Sequence, residues 1–193
     1  MIKKLILLAA ALAAVAVMAV PAAASASPAL TMPTGTLVPT GSALTGTGGS
    51  SQVTNGLKIE TARGIITCTT FMLSSDVTSN SGSHVHWSGA TGSTTSGCEI
   101  EVYASTISEI QVISFESTTS GSGTFEISYK TTDPLGVTCS FTNAGEPGTF
   151  TYTAGSSILK LASTEVFSAG CGESLLSGEV KLETSNGEAV ILD

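Results

Sequence analysis

The chain has 193 residues with seven basic and fifteen acidic side chains, a formal net charge of −8. Such a field repels phosphate backbones and anionic lipid surfaces, so nucleic acid and membrane are set aside as partners. Charged residues make up only 11% of the sequence while glycine, serine and threonine abound, a composition that suits strands rather than helices.

Met1-Ile2-Lys3-Lys4 is followed by sixteen apolar residues, 5–20, without a charge. This is the basic n-region and apolar h-region of a signal peptide. As a helix the run rises about 24 Å, short of a hydrocarbon core of about 30 Å. Pro21 ends it, and the small residues 22–27 place signal-peptidase cleavage after Ala26, with Ala24 as the second choice. Residues 1–26 are therefore expected to direct secretion and to be removed. Lys3 and Lys4 leave with them, so the exported part keeps five basic against fifteen acidic side chains.

Residues 27–51 are rich in Pro, Gly, Thr and Ser, and Pro28, Pro33 and Pro39 cannot donate to a ladder. An extended, partly flexible segment is expected there, with one edge strand within 35–44. Residues 52–193 are expected to form one β domain. Apolar or alternating runs between turn residues mark strands at 56–60, 65–71, 85–89, 98–103, 109–115, 124–130, 136–141, 149–153 and 158–162. In 178–185, Val180, Leu182 and Thr184 face one way; Asn186-Gly187 suits a two-residue type I′ turn, and 188–192 returns. So many short strands imply an all-β, antiparallel β-sandwich or barrel-like fold.

All four cysteines, Cys68, Cys98, Cys139 and Cys171, lie in the exported part, where an even count reads as two disulfides. Gly64-Ile65-Ile66-Thr67-Cys68 is echoed by Gly136-Val137-Thr138-Cys139, and Gly97-Cys98 by Gly170-Cys171. The spacings, 30 and 32 residues, agree as well. Three pairings are open to four cysteines; the echo favours Cys68 with Cys98 and Cys139 with Cys171, and it also suits bridges between the two halves.

His84-Val85-His86-Trp87 is the most distinctive tetrapeptide. Alternation puts both imidazoles on one strand face, where they are the metal candidates. Two ligands do not make a site, and a third, such as Asp76, would have to come from another element. No metal or other cofactor is expected. Trp87 falls on the opposite face, for the core or for stacking on a sugar, and Tyr129 and Tyr152 are further ligand-binding candidates alongside Tyr103. There is no GxSxG elbow to seat a nucleophile. Glu99 and Glu101 share a strand face as paired carboxylates do in a glycosidase, although such carboxylates normally come from different elements.

Pro33-Thr34-Gly35-Thr36-Leu37, Ile65-Ile66-Thr67-Cys68-Thr69-Thr70, Ser79-Asn80-Ser81-Gly82-Ser83 and Gly97-Cys98 together resemble uncharacterised secreted four-cysteine β-domain proteins of Gram-positive soil bacteria. The resemblance implies export and a four-cysteine β fold, and it implies no activity.

These readings favour a non-enzymatic extracellular or cell-envelope β module with a binding or structural role, its partner a glycan or a protein. The alternatives are a secreted glycan-acting hydrolase using the paired carboxylates, and a secreted inhibitor or toxin-like factor presenting the loop 88–97.

Overall fold

The computed structural model describes residues 27–48, 56–62, 64–89, 94–100, 106–133 and 135–193. The segment assigned as a signal peptide lies outside them. The described residues form β1 (Leu30–Thr31), β2 (Ala43–Thr47), β3 (Leu57–Thr61), β4 (Gly64–Asn80), β5 (Val85–Gly89), β6 (Thr94–Ile100), β7 (Thr106–Thr119), β8 (Ser122–Thr132), β9 (Thr138–Thr142), β10 (Gly148–Thr151), β11 (Ile158–Ser168), β12 (Gly172–Thr184) and β13 (Ile191–Leu192). Every described ladder is antiparallel.

Eleven of these strands share one sheet. It curls almost into a ring, because β10 pairs with both β8 and β11 while β11 continues to β12. Around the ring run β8, β7, β5, β4, β2, β12, β11 and β10. The long strands β4, β8, β11 and β12 extend beyond it, where β3 and β6 flank the first half of β4 and β9 fits between β8 and β11. β1 and β13 form a separate two-stranded ladder. Asn80, at the end of β4, holds β1 through both sides of its amide: its Oδ1 accepts from Leu30 N, and its Nδ2 donates to the Leu30 and Val38 carbonyls.

Period-two alternation decides which side chains enter the ring. Along β8, Phe125, Ile127, Tyr129 and Thr131 are buried while Thr124 and Lys130 face outward. Register then brings the rings to one level: Trp87 lies opposite Phe115, Phe115 opposite Phe125, and Phe125 opposite Gly148. Ring centroids are 5.3 Å apart for Trp87 and Phe115, 5.7 Å for Phe115 and Phe125, and 5.6 Å for Phe115 and Phe150. Aromatic pairs of this kind add about 0.5–1.5 kcal/mol each beyond the area they bury. Glycine makes the room. A Cβ on Gly148 would lie 2.7 Å from the Phe125 ring, and one on Gly123 would lie 2.4 Å from Phe150 Cζ.

Between its ladders to β10 and β9, β8 is paired by a side chain. Asn143 is buried; its Oδ1 accepts from Ile127 N at 2.7 Å and its Nδ2 donates to the Phe125 carbonyl at 3.1 Å. Asn143→Ala leaves both backbone groups buried without that partner, at about 1–3 kcal/mol for each orphaned group. A combined loss of roughly 2–4 kcal/mol is expected in chemical denaturation, and Asn143→Asp should recover little because a carboxylate cannot donate to Phe125.

Cys139 of β9 is bonded to Cys171 in the turn that leads into β12, with Cα atoms 5.9 Å apart, as the echo favoured. Among the described residues β9 meets β11 through one ladder pair, Phe167 with Thr142, so the disulfide holds a seam that ladder hydrogen bonds leave nearly open. The side chain of Cys98 lies outside the described residues. The backbone register sets Cys98 directly across from Cys68, and Cys68 is disulfide-bonded.

Three local expectations differ from the structure. Within 27–51 the strand is Ala43–Thr47, and it is not at an edge: β2 has ladder partners on both sides, β12 and β4, because Leu44 faces the core and no proline falls within the strand. β4 runs far past residue 71, since the small side chain of Ser75 is buried between Leu73 and Val77 and keeps the inward row unbroken. The Asn186-Gly187 turn is not type I′, which needs positive φ at both central residues. Gly187 alone has positive φ there, at 80°, and its N–H closes the turn onto the Thr184 carbonyl.

Candidate functional site

The two histidines share the outer wall, as alternation requires. Val85 and Trp87 point inward from β5 while His86 points out, and His84 stacks on it with centroids 6.0 Å apart and planes at 21°. The acid beside them comes from β7: His84 Nε2 lies 2.9 Å from Glu116 Oε1, and Glu116 is also the ladder partner of His86. Asp76, the acid suggested by sequence, instead faces Ser88 across the ladder. Among the described residues no group of three His, Cys, Asp or Glu side chains is arranged to hold a metal ion.

A bulge in β4 between Val77 and Ser79 turns Thr78 toward His86. The Thr78 hydroxyl donates to the His86 carbonyl at 3.0 Å and also meets His86 Nδ1. A hydroxyl has one proton. With one proton and two contacts, the Thr78 hydroxyl ties the backbone and the ring of His86 to β4.

The aromatic ligand-binding candidates are packed inside. Trp87 and Tyr129 are each 1% exposed and Tyr152 is 7% exposed, because all three occupy inward positions of the alternation, and none of these three rings presents a face on the surface for a sugar to stack on. The Tyr129 hydroxyl meets Ser174 Oγ in the core. Burial pushes the Tyr129 phenol far above its usual range, and the bond to Ser174 offsets only part of that.

A folded-state pKa above the unfolded value means that the folded state holds its proton more tightly. The associated stability is complete below about pH 10, the unfolded phenol value, and is lost as pH rises further at about 1.4 kcal/mol per pH unit for one proton. Tyr129→Phe is expected to cost about 1 kcal/mol at neutral pH, through the Ser174 hydroxyl it leaves unpaired. The variant's deficit should shrink above pH 10. Urea titrations at neutral pH and at about pH 11 read both effects.

Glu101 and Tyr103 lie outside the described residues, as does the side chain of Glu99. The loop 88–97 is described only in part.

Sequence reasoning missed a trough on the outer wall where β10, β11, β12 and β3 meet. Two depressions of about 390 and 400 Å³ adjoin there, both lined by Lys160 and Glu179. Thr151, Thr153 and Ser156 continue the first, and Lys58 and Ser177 the second. Lys160 and Glu179 are ladder partners across β11 and β12, with Nζ 3.7 Å from Oε1. Only register joins them. A bulge between Leu161 and Thr164 shifts the β11–β12 ladder, so counting back from the turn does not give the pair. No family model, curated protein or solved structure matches the chain.

Proposed function

We propose that the exported part is a non-enzymatic extracellular or cell-envelope β module that works by binding, or as a surface structural element, through the outer wall of its curled sheet. The observation that carries this reading is where the aromatic and titratable side chains go. Trp87, Tyr129 and Tyr152 are packed into the core, and the histidines are held in surface pairs with Thr78 and Glu116. A stapled scaffold with a full interior leaves its outside to do the work.

The leader and the even cysteine count support secretion, and the Cys139–Cys171 bond fits an oxidising compartment. The wall's polarity, with Trp87 and most Phe and Leu inside and Lys, Glu, Ser and Thr outside among only scattered apolar side chains such as Met72, Phe167 and Leu175, is the reverse of a lipid-embedded barrel. A glycan or protein partner is favoured over nucleic acid by the net negative charge.

Sedimentation with insoluble polysaccharides and purified Gram-positive cell walls tests the reading. The oxidised mature protein is expected to co-sediment with at least one of them and to release no reducing sugar. Absence of binding across the panel, or steady release of reducing ends, overturns it.

A further inference from the structure

We propose that the trough centred on Lys160 and Glu179 binds a neutral, linear polysaccharide, the two charged groups gripping neighbouring hydroxyls of one sugar unit. This rests on the binding reading above and names its site and ligand class.

The 3.7 Å between Lys160 Nζ and Glu179 Oε1 exceeds the roughly 2.7–3.2 Å of an N–H···O hydrogen bond. The ammonium and carboxylate attract each other yet leave their hydrogen-bonding capacity for a third group. An ammonium only donates, and an ionised carboxylate only accepts. Two adjacent sugar hydroxyls match that pair, one accepting from Lys160 while the other donates to Glu179. Lys160 is 68% exposed and Glu179 14%, so the cation can move to meet a ligand while the anion is held in the wall. Ladder pairing across β11 and β12 fixes the spacing of the two backbones.

The flanking hydroxyls of Thr151, Thr153, Ser156 and Ser177 extend the same chemistry to both sides.

Charge selects the neutral member of the class. Lys58 is paired with Glu60 at 2.6 Å and Lys160 with Glu179, so the trough is locally balanced on a protein whose net charge repels polyanions.

Affinity gel electrophoresis of the oxidised mature protein, with xylan, mannan and dextran as neutral probes and polygalacturonate as the acidic one, tests the assignment. The variants are Lys160→Met, which keeps the stem and removes the ammonium, Glu179→Gln, and the double control His84→Ala/His86→Ala. Retardation by at least one neutral polysaccharide is expected, unchanged at about 0.5 M salt, where surface charges are screened. Each trough variant should weaken it about tenfold, the equivalent of one lost hydrogen bond of about 1.4 kcal/mol, with the histidine control and the melting temperature unmoved. Retardation that persists in both trough variants overturns the site and leaves the binding reading standing. Retardation by polygalacturonate alone, lost in salt, overturns the ligand class. No retardation by any probe overturns the assignment, and the cell-wall sedimentation then decides whether the binding reading survives.

Discussion

Trp87→Ala is expected to lower the unfolding free energy by about 3–5 kcal/mol, the range for removing a large buried ring. The indole is 1% exposed and lies in the middle of β5, between β4 and β7. It stacks on Phe115 with planes only 6° apart and tilts against Phe150 at 6.1 Å. Strands on every side fix the surrounding rings, so the wall cannot collapse into the space left behind. Trp87→Phe should cost markedly less, because the stack with Phe115 survives in part. As the only tryptophan in the chain, Trp87 also reports on itself: native emission should be blue-shifted, resistant to aqueous quenchers, and red-shifted on unfolding. Solvent-like native emission, with little loss of stability in Trp87→Ala, would place the ring on the surface instead.

The paired substitution Cys139→Ala/Cys171→Ala is expected to cost roughly 3–4 kcal/mol, the chain-entropy value for a loop of about thirty residues. For a domain of this size that corresponds to a melting temperature lowered by about 10 °C. The loss should be local in character. β9 has one ladder pair with β11, so amides along that seam should lose hydrogen-exchange protection before those of β7 and β8, whose long ladder is independent of the bond. Calorimetry and exchange on the oxidised parent and the variant measure the two effects. An unchanged melting temperature would mean that the seam is held by something other than sulfur.

The strands with strict alternation could be read from sequence because their side chains carry the pattern locally. Val85 and Trp87 go in and His86 goes out by period two, and Ile127 and Tyr129 follow the same rule on β8. The far half of β4 could not, since Ser74, Ser75, Asp76, Thr78 and Ser79 look like a loop until Ser75 is seen to be a small inward residue between Leu73 and Val77. Ring closure was equally hidden, because the pairing of β10 with β8 is a choice among distant strands and leaves no mark on either sequence.

The candidate site divides the same way. The shared face of His84 and His86 follows from spacing, whereas their acid, Glu116, reaches them through the β5–β7 register. Tyr129 and Tyr152 were proposed as binding residues on residue type alone, and burial places them in the core. The Lys160 and Glu179 trough left no sequence signal, because threonine and serine are common throughout and the pair exists only once β11 and β12 are in register.

Non-reducing peptide mapping of the mature protein by mass spectrometry tests most directly the claim that an exported, sulfur-braced, curled sheet underlies all of this. The expected spectrum contains an amino terminus at Ser27, a cross-linked pair joining Cys139 to Cys171, and a second joining Cys68 to Cys98. An intact Met1 with four alkylatable thiols, or bridges that join Cys68 to Cys139 or to Cys171, would contradict it.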